Sequence, residues 1–362
     1  MFLNTKPLTI VVDCQFGDTG KAKVVDFLAK DYDVVAKFNG GSNAGNTSYV
    51  ADRKLVLHQV PTGLASNPNS VAYIGNGCVV SLLDLKNEVD LLKSFGIEVK
   101  DRIFISEDAH VVQGKHREQD VSPISSKVGT TGKGIGPCYT DKVKRIGSKI
   151  LNNMETIKGS FNGDVVVVSS SFIRDQIKVG KRVLAMGSQG YGLDVDLGTY
   201  PYVTSSNTTS NAAYVGLALP PNIPSHVYGV AKAYVTRVGN GPLTNELEEP
   251  LQSILREAGK EYGATTGRPR RCAWLDLDML KESCEVNGVD TLALTKADVL
   301  CGFSHVQYSL EGRLLGVHGW KELNSFEFAD FYTIVSKQLR KVGVSSILVS
   351  SGPKGNDWFT NF

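Results

Sequence analysis

Short apolar runs alternate with glycine-rich and polar loops along the chain, and the period of the runs changes in a regular way. Leu8–Val12 is a continuous apolar segment of strand length; Val24, Val25, Phe27 and Leu28 then recur at helical spacing within Lys21–Lys30, and Asp33–Phe38 returns to a strand pattern. This strand, helix, strand opening predicts a largely parallel sheet with ligands at the carboxyl ends of its strands. Val71–Ile74 reads as another buried strand, followed by a Gly75-Asn76-Gly77 turn and an amphipathic helix over Leu82–Phe95 that stops at Gly96. Further strand candidates are Ile103–Ser106, Val165–Val168, Val183–Met186, Val227–Tyr234, Thr291–Leu294, Val306–Leu310 and Ser346–Val349. No internal repeat or low-complexity linker divides the 362 residues. The expected fold class is α/β: one domain over residues 1–362, a large, mostly parallel central sheet with helices on both faces, and long functional loops.

Composition narrows the function. Lys+Arg 39 against Asp+Glu 37 gives a formal charge of +2, so no chain-wide basic field exists for a nucleic acid, and anion recognition must come from local clusters. The longest apolar stretches fall far short of the roughly 20 residues a bilayer span needs. The first residues carry neither a basic region nor a long apolar one, so neither membrane insertion nor export is expected, and the expected location is the cytoplasm. Six cysteines without a CxxC pair read as reduced packing residues, and six histidines without an HExxH spacing give no transition-metal site.

The loops carry the chemistry. Gln15–Lys23 lies between the first strand and helix; glycines let a backbone approach phosphate, a helix N-terminus favours an anion, and Lys21 can reach a γ-phosphate. It is not a Walker A loop, because Gln15 stands at the first glycine position and Ala22 replaces the magnesium-binding hydroxyl. A tight turn with a surface lysine is the plain alternative. Asp18 shifts the balance, since a carboxylate among phosphate-binding amides is self-defeating unless it holds Mg²⁺ or removes a proton. Gly40–Thr47 would face this loop across the same sheet edge, or be an ordinary Gly/Asn turn. Gly129–Pro137, dense in backbone donors and hydroxyls, with Lys142, Lys144 and Arg145 downstream, suits a monophosphate. Gly263–Arg271 sets Arg268, Arg270 and Arg271 behind Thr265 and Thr266; arginine forks match carboxylates, so an acidic co-substrate fits, as does a solvated basic turn. Thr295-Lys296-Ala297-Asp298 after a strand has the form of a guanine-reading element, or of a helix start capped at Asp298.

In this order the loops resemble the adenylosuccinate synthetase family, ligases joining aspartate to a purine monophosphate. The resemblance rests on the segments at 17–23, 43–47, 74–77, 129–145, 188–209, 236–247, 263–276, 295–298 and 350–355, of which Gly198–Asn207 (GTYPYVTSSN) is the most specific. It implies a fold related to P-loop nucleotide hydrolases. It also implies roles: Asp18 as the base that takes the purine N1 proton and as a Mg²⁺ ligand with the Gly45 carbonyl, Lys21 on the migrating γ-phosphate, Gln189 at the N1/O6 edge and Asn46 beside the transferred phosphate. Asn43, Thr130, Thr131, Gln189, Thr204 and Val238, with Arg145 from a second subunit, would form the monophosphate and sugar pocket, which implies a homodimer; Arg268 would also touch the sugar. Thr265, Thr266, Arg268 and Arg270 would hold L-aspartate. Gly17, Thr19, Gly20, Lys21, Gly45, Asn46, Thr47, Arg270, Lys296, Asp298, Ser350 and Gly352 would hold the nucleoside triphosphate.

Departures from the family pattern carry information. The family's GDEGKGK reads GDTGKAK, so a glutamate has become Thr19; the two histidines of GGHNAGHT have become Ser42 and Asn46; and a glutamate three residues before Gln189 is Met186. Asn46 can donate a hydrogen bond but carries no proton charge. These changes resemble the bacteriophage branch of the family that couples aspartate to dGMP with ATP or dATP, forming N6-succino-2-amino-2'-deoxyadenylate for 2-aminoadenine DNA in a host cytoplasm. The motive would be Thr19 altering volume and charge beside the purine C2 amino group. Asp298, which favours a guanine-bearing donor, supports the alternative, IMP with GTP. A nucleotide-binding regulator without turnover is a further alternative.

Overall fold

The computed structural model describes residues 6–121, 129–263, 267–352 and 357–359. Its central sheet has ten strands: β1 (Leu8–Asp13), β2 (Val34–Lys37), β3 (Val71–Ile74), β4 (Ile103–Ser106), β5 (Val165–Val168), β6 (Val183–Met186), β7 (Ser225–Lys232), β8 (Thr291–Thr295), β9 (Ser346–Ser350) and β10 (Trp358–Phe359). Their order across the sheet is β10-β9-β8-β7-β1-β6-β2-β3-β4-β5, parallel throughout except for the edge strand β10. The two-residue β10 has no periodic signature and was not foreseen. Val306–Leu310 is a strand as expected, but it lies in a separate three-stranded sheet with Leu275–Asp276 and Arg313–His318.

The central position of β1 explains its composition. All six of its residues are buried, as a strand covered on both faces requires, so it reads as an unbroken apolar run and not as an alternation. Leu8, Ile10 and Val12 enter a core shared with helices α5 (Leu277–Asn287) and α6 (Phe326–Arg340). Val11, pointing the other way, meets Val24, Val25 and Leu28 of α1 (Lys21–Leu28). Helices therefore cover both faces. Each such buried side chain contributes about 1.5–3 kcal/mol, which lets the loops at the strand ends hold polar, left-handed conformations. The amphipathic helix expected over Leu82–Phe95 is α2 (Leu82–Ser94), capped by the Ser81 hydroxyl, which accepts from the Asp84 amide at 3.2 Å. Five cysteines are buried, Cys301 is half-buried, and all six are free thiols. No helix among the described residues is long and apolar enough to cross a membrane.

β1 sits between β6 and β7, and its chain leaves to form β2 on the far side of β6. The loops after β1, β2, β6, β7 and β8 thus emerge side by side at one sheet edge, the carboxyl-end crevice where open parallel sheets bind ligands.

Candidate active site

The loop after β1 is built around Asp13, whose side chain is fully buried. Its Oδ1 accepts from the Gln15 amide at 3.0 Å and the Gly17 amide at 3.1 Å; its Oδ2 accepts from the Thr19 amide at 3.4 Å and from the Thr19 hydroxyl. Lys21 Nζ stands 3.6 Å from the same Oδ2 and donates to the Gln189 carbonyl. Gly17, Asp18 and Gly20 all take positive φ (86°, 56° and 91°), so the loop doubles back before α1 and pushes Asp18 outward. No side chain caps α1 at Gly20, an arrangement suited to an anion at a helix N-terminus.

Gln189 is the hub where loops meet. It too has positive φ, 60°, and its Oε1 is buried without a hydrogen-bond partner among the described residues. A Cβ built on Gly40 would lie 2.7 Å from Ser188 Cβ and 3.2 Å from Gln189 Oε1, so Gly40 is what lets the second loop approach. That approach is pinned by Ser188, whose amide donates to Asn39 Oδ1 at 2.7 Å and whose hydroxyl donates to the Asn39 carbonyl at 3.1 Å. The buried Lys37 donates to the Gly41 carbonyl at 3.2 Å and to the His58 carbonyl, bracing the loop from below. Asn43, Gly45, Asn46 and Thr47 are half-buried beyond it, with Asn43 Oδ1 also lacking a partner. Gly190 packs against the first loop: a Cβ there would collide with Asp13 Oδ1, the Gln15 carbonyl and the Gly17 amide. Gly190→Ala is therefore expected to lower the unfolding free energy by about 1–3 kcal/mol, read from a urea titration; an unchanged midpoint would show that the two loops are not in contact.

The third loop reaches the same region from the other side. Gly129 lies close to Gly239, next to Val238, and Gly136 close to the Ser205 hydroxyl, next to Thr204. Thr130 is half-buried, its hydroxyl donating to the Asp120 carbonyl at 3.2 Å, whereas Thr131 is exposed. Arg145 ends α3 (Ile135–Lys144) at φ 67° and is exposed, between exposed Val143 and Ile146. It stands at the surface.

The arginines of the fourth loop separate. Arg270 Nε is 3.1 Å from Asp18 Oδ2, near but not aligned as a hydrogen bond, while Arg268 is exposed. Arg271 instead pairs with Glu246 and donates to the Gly241 carbonyl at 2.8 Å. Thr265 and Thr266 lie outside the described residues. Thr295 Oγ1 donates to the Thr19 carbonyl at 2.6 Å, joining the 295–298 segment to the first loop. Lys296 takes φ 62° and donates to the Gly259 carbonyl at 2.8 Å. The short helix Ala297–Leu300 begins one residue before Asp298, with Lys296 at its N-cap and no side-chain cap there. Ser350 and Gly352 are drawn in by Lys23, which donates to the Ser350 hydroxyl at 2.6 Å, the Gly352 carbonyl and the Asp357 carbonyl at 2.9 Å, and lies 4.7 Å from the Trp358 ring centroid. Burial lowers the Lys23 ammonium to about 8, against the pull of Asp357 and Asp298.

Asp13, Lys23 and Lys37 were missed by sequence reading. A carboxylate closing an apolar strand directly before a glycine loop is the signal that would have found Asp13. The substituted positions also resolve. Met186 is buried in β6, within the core. Ser42 is buried beside His58, Asp84, Glu88 and Lys133. Thr19, expected to alter volume and charge beside the purine, is buried and its hydroxyl donates to Asp13.

Comparison with known proteins identifies the family. The family model for adenylosuccinate synthetase matches residues 10–164 and 149–326. The chain is 39% identical over 356 residues to the adenylosuccinate synthetase of Chlorobium phaeovibrioides, covering 86% of this chain and 82% of that one, and 39% identical over 352 residues to that of Clostridium acetobutylicum, covering 84% and 82%. Among solved structures, the fully ligated adenylosuccinate synthetase of Plasmodium falciparum superposes with a TM-score of 0.87 at 31% identity, over 98% of this chain and all of that one. The cyanophage S-2L succinoaminodeoxyadenylate synthetase bound to dGMP and dATP superposes with a TM-score of 0.77 at 24% identity, over 99% and 96%, a likeness of fold. The chain belongs to the adenylosuccinate synthetase family and is a carbon–nitrogen bond-forming ligase of that type.

Proposed function

We propose that the protein joins L-aspartate to C6 of IMP at the expense of GTP. The observation that carries this reading is the convergence on one crevice of Asp18, Lys21, Gln189 and Arg270, with Arg270 Nε 3.1 Å from Asp18 Oδ2 and Lys21 bonded to the Gln189 carbonyl. A purine O6 is a poor nucleophile and a poor leaving group. Asp18 takes the N1 proton, the freed electron pair makes O6 nucleophilic, and O6 attacks the γ-phosphorus as GDP departs. The aspartate amine then adds at C6, loses a proton and expels phosphate, so that two easier steps replace one hard one. Lys21 and the amides of the first loop are aimed at charge developing on the phosphoryl group. Gln189 Oε1 and Asn43 Oδ1, both buried without partners, fit a nucleotide with donors to offer.

Thr130, Thr131, Thr204 and Val238 complete the monophosphate and sugar pocket, with Arg145 supplied by a second copy: its exposure beside Val143 and Ile146 suits a residue covered in a homodimer. Arg268 and Arg270, with Thr265 and Thr266, receive L-aspartate. Gly17, Thr19, Gly20, Asn46 and Thr47 line the triphosphate, and Lys296, Asp298, Ser350 and Gly352 its base. Mg²⁺, a hard ion that takes oxygen ligands, suits a site offering a carboxylate and a backbone carbonyl. Asp18 and the Gly45 carbonyl would supply two oxygens, as is usual for an ion that takes its remaining ligands from phosphates and water. Bound there, it would neutralise phosphate charge. These soluble substrates go with a cytoplasmic setting.

dGMP with ATP or dATP is the second reading, favoured by the loss of both loop histidines to Ser42 and Asn46. Against it, the Thr19 side chain is buried and bound to Asp13, so it is not an exposed partner for a C2 amino group, and burying that group unpaired costs roughly 1–3 kcal/mol. Asp298 supports a guanine-bearing donor. Phosphate release is therefore expected to run fastest with IMP and GTP among IMP, GMP and dGMP paired with GTP, ATP and dATP. Faster turnover of dGMP than IMP would reverse the assignment, and no release with any pair would leave a nucleotide-binding regulator.

A further inference from the structure

We propose that Glu261 is a positioning residue for Arg270, holding the guanidinium in the orientation that borders Asp18 while keeping a donor for the carboxylate of the acidic co-substrate; this rests on the ligase reading above. Glu261 is fully buried, in the turn after helix α4 (Leu251–Gly259). Its Oε2 accepts from Arg270 Nη1 at 2.5 Å and from Lys232 Nζ at 2.8 Å, and its Oε1 from the Tyr234 hydroxyl at 2.6 Å. Lys232, at the end of β7, also donates to Thr236 Oγ1 at 2.7 Å. A carboxylate so gripped cannot turn. Burial alone would raise it, but Lys232, Arg270 and Lys296 outweigh burial and hold it down at about 2, so it stays ionised behind Arg270 at any working pH.

The guanidinium is thereby used on two sides. Nη1 faces Glu261 and Nε faces Asp18, while Nη2 has no protein partner among the described residues. Because the planar fork pairs readily with one carboxylate through two nitrogens, an Arg270 released from Glu261 would close bidentately on Asp18, its other neighbouring acid. That collapse would consume the donor meant for the co-substrate and occupy the base. Glu261 prevents it from behind, without touching substrate.

The test uses the full-length chain carrying Glu261→Gln, with circular dichroism as a folding control. The expected result is a KM for L-aspartate raised about tenfold or more, the loss of a charge-assisted contact, with the KM for IMP and GTP within about twofold. Glu261→Asp, which keeps the charge, should recover part of the loss. A crystal structure of E261Q, which needs no turnover, should show the guanidinium displaced by about 1 Å or more toward Asp18, a misplacement large enough to matter. An unchanged KM for L-aspartate, an equal shift in all three constants, or an unmoved guanidinium overturns the proposal. Absence of aspartate-dependent phosphate release in the unmutated enzyme would instead overturn the ligase reading, and the crystallographic readout would then decide this proposal alone. Should E261Q not fold, E261D and Tyr234→Phe carry the same readouts, and an unmoved KM in both refutes it.

Discussion

Asp18→Asn is expected to cut aspartate-dependent phosphate release by about 10²–10⁴-fold, the usual contribution of a positioned general base. The amide is isosteric with the carboxylate but cannot accept the N1 proton that the proposed mechanism assigns to Asp18, so the first step of that mechanism loses its driving group while the loop keeps its form. The Asp18 side chain is 35% exposed and, among the described residues, its ion-pair partner is Arg270, so thermal unfolding should move little. The KM for IMP should also stay close to that of the unmutated protein, because the carboxylate acts on a bond that breaks and does not bear the ground-state binding. Steady-state assays at saturating substrates measure this directly. A variant retaining more than about a tenth of the original rate, in the range where general-base contributions no longer apply, would remove Asp18 from the mechanism.

Asp13→Ala should act on stability as strongly as Asp18→Asn acts on rate. Asp13 is buried, and its two oxygens take three backbone amides and a hydroxyl from the first loop, with Lys21 Nζ 3.6 Å away. Removing one partner of a buried charged pair costs about 3–5 kcal/mol, mainly by leaving the other charge and its donors unpaired. Chemical denaturation should register that loss, and triphosphate binding should weaken with it, since Lys21 and the Gly17 and Thr19 amides lose the anchor that aims them. A midpoint within the scatter of the unmutated protein would mean the loop is held by something else. Asp13→Asn separates the two parts of the effect: the amide can accept from only one side, so it should fall between Ala and the original residue.

The order and type of the main elements were legible from pattern alone. Leu8–Val12, Val71–Ile74, Ile103–Ser106 and Val183–Met186 form interior strands of the central sheet within one residue of their expected bounds, and Val165–Val168 forms one edge of it, because strands of a parallel sheet covered by helices are short apolar runs wherever they occur. The chemical character of the four loops was equally visible, since glycine, hydroxyl and arginine content is a local property. The short edge strand Trp358–Phe359 was not, because two residues carry no period and its pairing with Ser346–Ser350 is set by contacts across the sheet. Val306–Leu310 had the right pattern and the wrong implied company, since alternation reports burial of a face and not which strand lies beside it.

Local sequence also named Asp18, Lys21 and Arg270, and the family resemblance added Gln189 and implied one shared site, without the geometry that brings them together. Their meeting depends on β1 lying between β6 and β7 and on Gly40 and Gly190 being small enough for loops from different strands to touch. Asp13, Lys23, Lys37 and Glu261 belong to that second kind of information. As isolated letters they are ordinary charged residues, and they become organising groups only where burial removes water and leaves the folded chain to supply their partners, from a few residues away for Asp13 to more than three hundred for Lys23. The same distinction governs Thr19: as a letter it marks a lost carboxylate beside the purine, and in the folded chain its hydroxyl is bound inward to Asp13. Side-chain type is inherited from the sequence, but which neighbour a polar group must satisfy is decided by what the fold buries with it.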